Sequence, residues 1–288
     1  MLLFYKFIIS FLILNSLSAY SVETSGKLLL TGGVSQLEGS AGGGISPWAL
    51  IGGYGTRDQI GGNAYYTNVA ISDYKLESYG ALIGLYDRVE LSVARQTLDT
   101  EKVGNLLGIG RGFKIRQNII GIKVKLVGDA VLDQDSWLPQ ISVGGQHKKN
   151  QEGDIVKSLG AETDTGIDYY ISATKIFLSQ SLLANITLRR TEANQLGLLG
   201  FGGNRNDSHK LFPEVSLAYL LYQNFALGAE YRAKPNNLNV ANEDDWWDVF
   251  AAWTPTKNIS LTVAYAHLGQ VAVKDNQGAF YSSLQIGF

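Results

Sequence analysis

The sequence predicts an all-β transmembrane antiparallel barrel of about fourteen strands, with twelve as the alternative count. Three observations carry that prediction. From Lys27 onward, apolar and polar residues alternate with period two in one segment after another, and helical periodicity is nearly absent. Each segment runs roughly 9–12 residues, the length a tilted strand needs to cross a bilayer, against about 5–6 for soluble sandwiches. Very short connections such as "TPTKN", "LYQN", "LSQS" and "YDR" alternate with long ones over 99–116, 148–165, 192–211, 234–243 and 269–277. Short periplasmic turns and long extracellular loops are the asymmetry of outer-membrane barrels.

The opening stretch "MLLFYKFIISFLILNSLSAYS" has one lysine, Lys6, an apolar run from Phe7 to Leu14, and small residues around Ala19-Tyr20-Ser21. That is the layout of a cleaved signal peptide over residues 1–21, leaving 22–288 as a single barrel domain exported to the bacterial outer membrane. The uninterrupted apolar run is too short for a membrane-spanning helix, which needs about 20 residues. The 33 glycines and 15 tyrosines suit strands and turns better than helices. With no cysteine, disulfides, thiolate metal sites and cysteine nucleophiles are excluded. A formal net charge of −2 argues against nucleic acid as a partner.

The strands are expected near 27–37, 47–56, 60–71, 74–86, 88–98, 117–127, 138–148, 167–177, 181–191, 212–222, 224–234, 244–254, 257–268 and 278–288. The first two are the weakest. "GKLLLTGGVSQLEGSAGGGISPW" is so rich in glycine that it also fits a partial plug folded into the barrel, which gives the twelve-strand alternative. Later strands alternate cleanly. Val89, Leu91 and Val93 oppose Arg88, Glu90 and Ser92, while Ile120, Ile122 and Val124 oppose Gly121, Lys123 and Lys125. Val215, Leu217 and Tyr219 oppose Glu214 and Ser216; Leu227 and Tyr231 oppose Glu230 and Arg232; Ile259, Leu261 and Val263 oppose Ser260, Thr262 and Ala264. In a membrane barrel the apolar parity faces lipid and the polar parity faces the lumen. The expected lumen-lining residues are therefore Glu90, Lys123, Lys125, Asp168, Glu214, Glu230, Arg232 and Asp248, a wall of mixed sign.

Trp48, Tyr54, Trp137, Trp247, Trp253 and Phe288 fall near expected strand ends, where amphipathic rings form interfacial girdles. Phe280, Leu284, Ile286 and Phe288 share one parity of the segment that ends the sequence. That segment is expected to pair with the first strand, and it resembles the C-terminal signal read by the barrel-assembly machinery. Ser282 and Ser283 depart from the usual pattern.

Candidate chemistry is sparse. "GIGRG" and "GFGGN" lack the following helix that a phosphate-binding loop requires. His147, His209 and His267 fit no metalloprotease spacing, and their position near an outer rim with Ser208 is better read as solvated polar residues than as a hydrolase pair. Glu243, Asp244, Asp245 and Asp248 lack the spacing of a calcium loop. No enzyme activity, cofactor or metal is expected. The apolar loops "VGNLLGIGRGF" and "QLGLLGFGGN" fit a lumen constriction, an apolar entrance or strand extensions.

The stretches "GKLLLTGGVSQLEGSAGGGISPWALIGGYGTRD", "YGALIGLYDRVELSVARQ", "IGIKVKLVGDAVLDQDSWLPQISVG" and "WWDVFAAWTPTKNISLTVAYAHLG" resemble the domain-of-unknown-function 3034 family of bacterial outer-membrane proteins. That resemblance implies an outer-membrane barrel and carries no activity or site residues. The expected function is a porin-like channel or uptake barrel for small solutes, with outer-membrane lipid and lipopolysaccharide around it. The alternative is a closed structural or surface-binding barrel that works through its extracellular loops.

Overall fold

The structure, a computed structural model, describes residues 27, 29–31 and 34–288. The expected signal peptide lies outside the described residues. Twelve strands close into one antiparallel barrel in which each strand pairs with its sequence neighbours: β1 (Ile60–Ile71), β2 (Lys75–Leu85), β3 (Val89–Asp99), β4 (Lys114–Val127), β5 (Gln140–Asn150) and β6 (Thr165–Phe177) form the first half. The second half is β7 (Leu182–Thr191), β8 (Lys210–Tyr222), β9 (Phe225–Arg232), β10 (Trp246–Thr256), β11 (Ile259–His267) and β12 (Gly278–Gly287). The seam joins β12 to β1, with Ala64 opposite Ile286 and Tyr66 opposite Leu284. Two short helices, α1 (Val103–Leu106) and α2 (Gly153–Ser158), sit in the long loops.

Burial alternates along every strand. Leu91, Val93, Ile120, Ile122, Ile186 and Val263 are exposed on the outer wall, while Glu90, Lys123, Thr187 and Thr262 are buried inside. A continuous outer band of aliphatic side chains is untenable in water and natural in lipid. The inverted arrangement, apolar outside and charged inside, makes this a transmembrane barrel.

Twelve strands, not fourteen, form the wall. Among the described residues, the segments 27–37 and 47–56 contribute no strand to the wall; 34–55 folds into the lumen, as in the plug alternative. It carries only isolated antiparallel bridges, Ser35 with Ala41 and Gly42 with Pro47. Its glycines explain why it can enter. Gly39 turns the chain at φ +96°, and a Cβ on Gly43 would lie 1.9 Å from the Glu230 carboxylate. A residue with a side chain cannot approach the wall that closely. Trp48 and Tyr54, expected at the bilayer interface, accordingly lie within the barrel, 4% and 2% exposed. The Trp48 indole donates to Ser216 Oγ at 3.0 Å.

The external end is covered as well. In the loop between β7 and β8, Leu196, Leu198, Leu199 and Phe201 turn inward and are buried, joined by Leu238 from the loop after β9. Gln117 donates to the Leu196 carbonyl at 3.1 Å, and Asn150 donates to the Leu198 carbonyl at 2.8 Å. The "QLGLLGFGGN" loop thus folds into the mouth of the barrel. In the other apolar loop, α1 stays at the rim, with Val103 buried and Leu106 exposed.

Candidate functional site

The site is the lumen and the segment inside it. The eight residues expected on the lumen wall, Glu90 to Asp248, all point inward and are buried. They do not line open water. Four of them, Glu90, Lys123, Glu230 and Arg232, bond backbone groups of the plug, which has no sheet ladder of its own and must satisfy its N–H and C=O groups elsewhere.

One cluster lies on β3 and β4, where Glu90 and Lys123 face each other directly in register. Lys123 Nζ is 3.1 Å from Glu90 and donates to the carbonyls of Ala41 at 3.0 Å and Leu50 at 2.7 Å. The Glu90 carboxylate accepts from the backbone N–H groups of Ala41 at 3.0 Å and Gly52 at 2.8 Å. A single ion pair therefore grips the plug at both ends of its inner loop. Deeper contacts are neutral: Thr187 Oγ1 donates to the Pro47 carbonyl at 2.7 Å, and Gln140 Nε2 donates to that of Ala49 at 2.7 Å.

The second cluster centres on Glu38, the only charged residue between Lys27 and Arg57. Its carboxylate is fully buried and meets three cations from three strands: Lys148 of β5, Arg189 of β7 at 3.3 Å and Arg232 of β9 at 2.7 Å. Those cations also hold wall carboxylates. Lys148 lies 2.6 Å from Asp168, and Arg189 lies 3.3 Å from Asp168 and 2.5 Å from Glu214. Arg189 additionally sits over the Tyr170 ring, 5.4 Å from its centroid. Sequence reasoning missed Glu38, Lys148 and Arg189. The inward parity of Lys148 and Arg189 was readable, and a lone acid in a glycine-rich apolar stretch was a signal for Glu38.

Glu230 accepts from Ser216 Oγ at 2.6 Å and from the N–H groups of Gly44 at 2.5 Å and Ile45 at 3.0 Å. Lys125 is at the periplasmic mouth, 2.6 Å from Asp87 and 3.6 Å from Asp129, where Lys27 also reaches Asp87 at 2.9 Å. Burial alone raises the Asp129 carboxyl, but the N–H groups of Leu132 and Val131, with Lys125, outweigh it and hold the carboxyl below its ordinary value.

The remaining sequence candidates are scattered. Trp247 and Trp253 face outward at opposite ends of β10, and Trp247 stacks on His267 with centroids 5.6 Å apart. Trp137 is exposed on the periplasmic connection, 6.3 Å from Phe177. Phe280, Leu284 and Ile286 face outward along β12, and the backbone of Phe288 exchanges hydrogen bonds with Gly62, each 2.9 Å. The acidic run does not converge. Glu243 is 3.3 Å from Lys234, Asp244 accepts from the Gln270 N–H at 3.1 Å, Asp245 accepts from Tyr231, and Asp248 points into the barrel. Ser208 donates to Asn206 at 2.9 Å, whereas His209 faces Glu192 at 3.2 Å, so the two do not form a nucleophile–base pair. His147 and His267 lie on different strands, β5 and β11, with His147 Nε2 3.3 Å from Thr165.

Fold and site together define a class: a twelve-stranded transmembrane β-barrel whose lumen is filled by its own N-terminal segment. The chain belongs to the family described as protein of unknown function (DUF3034), whose model matches residues 31–285. No curated protein matches it. Among solved structures it is similar to the KdgM porin in complex with disordered oligogalacturonate, at 9% identity and a TM-score of 0.51, covering 78% of this chain and 99% of that one. The KdgM porin alone gives 9% identity and a TM-score of 0.50 over the same shares. The NanC porin gives 11% identity and a TM-score of 0.49, covering 79% of this chain and 98% of that one. At these identities the likeness is one of fold.

Proposed function

We propose that the protein is an outer-membrane channel for small solutes whose pore is closed by residues 34–55 and opens when that segment leaves the charged wall. The observation that carries this reading is the chemistry of the plug contact. The plug has hydrocarbon packing, with Leu37 and Ile45 against Val69 and Ile71, and Val34, Trp48 and Leu50 against Ile176, Leu183 and Ala218. Beside it stands a buried polar grip that adds little to net stability and so is not what a permanent core requires: Glu38 against three cations, and backbone groups hydrogen-bonded to wall side chains. Water can replace every one of those contacts, so the plug can withdraw without exposing an apolar wall at the points where it is gripped. The charges left behind, of mixed sign, would then govern permeation.

Export through a cleaved signal peptide and assembly into the outer membrane, among lipid and lipopolysaccharide, belong to the same proposal. It assigns the protein no catalytic step. The test is conductance in planar bilayers of the refolded barrel with and without residues 27–55. The shortened barrel should carry steady current where the full chain is mostly closed; a folded, shortened barrel without current would contradict the reading. A second reading, a closed barrel that works through its loops, is favoured by the buried Leu198, Leu199 and Phe201 at the external end. Deleting Glu192–Leu211 separates the two, because a constriction changes current and a binding loop does not.

A further inference from the structure

The lumen has two unlike halves. Across β3 to β9 the buried cations Lys123, Lys148, Arg189 and Arg232 are all paired, with Glu90, Glu38, Asp168 and Glu214 as their carboxylates. Among the described residues, the opposite wall, from β10 through β12 to β1, carries Asp248 as its one inward charge: Ala252, Ala264, Ala266, Ala279, Val69 and Tyr281 face in beside neutral polar residues such as Thr67, Thr262, Ser283 and Gln285. Two further carboxylates, Glu230 and Asp248, border that half, and neither has a cation among the described residues. They are direct cross-strand partners in the β9–β10 register. Both also approach a single point: a Cβ on Gly44 would lie 3.3 Å from Glu230 Oε2 and 3.7 Å from Asp248 Oδ2. Like charges placed opposite each other destabilise a sheet.

Glu230 is at least hydrogen-bonded. Asp248 is not. It is 3% exposed, its Oδ1 is buried without a partner, and it makes no hydrogen bond or ion pair with any described residue. An unpaired carboxylate in an apolar site is costly, and native structures rarely keep one without a use. Asp248 borders a cavity of about 30 Å³ beneath the external loops, walled by Ile45, Val69, Leu98, Trp246 and Tyr281. A second cavity of the same size lies toward the periplasm, between plug residues Val34 and Trp48 and the wall residues Ile176, Leu183 and Ala218, and shares Tyr281. Each has room for a water-sized group, which is the size of an ammonium head.

The surroundings select among cations. Calcium and magnesium want about six or more oxygen ligands, whereas the Glu230 oxygens are committed to N–H and O–H donors and the cavity beside Asp248 adds only Gln195 among apolar and aromatic side chains. Aromatic rings beside a carboxylate suit an organic ammonium instead. We propose that the cavity at Asp248 is a binding site for a small organic amine of the size of methylammonium, its ammonium paired with Asp248 and its methyl group against Val69, Ala266 and Tyr281. The consequence for transport, preference for small organic amines over alcohols and carboxylates of equal size, rests on the channel reading above; the binding itself does not.

The experiment is thermal unfolding of the refolded full-length barrel in methylammonium, methanol or formate. Methylammonium should raise the midpoint saturably, with no comparable shift from the other two. Asp248→Asn should abolish the shift, and Asp244→Asn, in the external loop, should retain it. Ala266→Phe, at the position directly opposite Asp248 in the β10–β11 register, fills the cavity while keeping the carboxylate, should abolish it too and covers the case in which Asp248→Asn does not fold. An equal shift from methanol, or a shift that survives Ala266→Phe, would overturn the proposal. Because no current is measured, the two readings fail separately. A barrel that conducts but binds no amine refutes this inference alone, and one that binds amine but never conducts once its plug is removed refutes the channel alone.

Discussion

Glu38→Gln is the substitution that presses hardest on the plug. Glu38 is the one carboxylate the plug offers, and Lys148, Arg189 and Arg232 converge on it. A unit charge about 3 Å away is worth about 5 kcal/mol at an effective dielectric of 20, before desolvation. Removing one partner from a buried network costs about 3–5 kcal/mol, because the remaining charges stay buried. Glutamine keeps the shape and some hydrogen bonding, so the lower figure, about 3 kcal/mol, is the fair one. That is about a hundredfold in the ratio of open to closed plug. The penalty falls only on the closed state, since an open plug leaves the three cations hydrated. Single-channel recording should therefore show open probability rising by about two orders of magnitude, with the barrel still heat-modifiable on gels. A folded Glu38→Gln barrel with unchanged open probability would refute the electrostatic account of closure.

Two further outcomes follow from contacts at the periplasmic side. Deleting Phe288 removes its backbone bonds to Gly62 and to the Tyr54 N–H, so outer-membrane levels should fall several-fold in a quantitative blot; unchanged levels would contradict the seam described here. The Asp129 carboxyl is held below its ordinary value of 3.8 and accepts from the N–H groups of Val131 at 3.0 Å and Leu132 at 2.8 Å. A carboxyl with a lowered native pKa stabilises fully above its unfolded value and loses that stability as pH falls through the native one. Hydrogen exchange at Val131 and Leu132 should thus stay slow at pH 5 and quicken only below pH ~4. In Asp129→Ala it should be fast at both.

The barrel was legible because period two is enforced by lipid on one side and charge on the other. Ile120, Lys123 and Val124 have nowhere else to go. The plug was harder to read, since a membrane strand and a lumen segment are both extended and apolar. Leu29, Leu30, Val34 and Leu37 look alike in either role, and only the density of glycine distinguished them. Trp48 and Tyr54 misled for the same reason: an aromatic at the end of an apolar run marks an interface only if the run is a strand. Lumen parity identified Glu90, Glu230 and Arg232, but it could not say that their partners would be the backbone of residues 41–52. Those contacts are set by a fold-back from outside the sheet, which no local period records. The scattering of the Glu243–Asp248 run was equally hidden, because one of its members changes from loop to lumen wall within four residues.

The central claim is that residues 34–55 close the lumen by moving as a plug, and the absence of native cysteine makes it directly testable. An ideal Cβ on Gly39 lies 3.0 Å from the Ala94 Cβ of β3, so a shift of under an ångström brings the pair to the ~3.8 Å of a disulfide. The φ of +96° strains a cysteine at 39 by about 1–3 kcal/mol, which favours the open state until the crosslink forms. Gly39→Cys with Ala94→Cys in the Glu38→Gln background should conduct when reduced, close on oxidation and reopen with reductant. Equal current in the oxidised and reduced barrels, with the crosslink verified by mass spectrometry, would contradict the account.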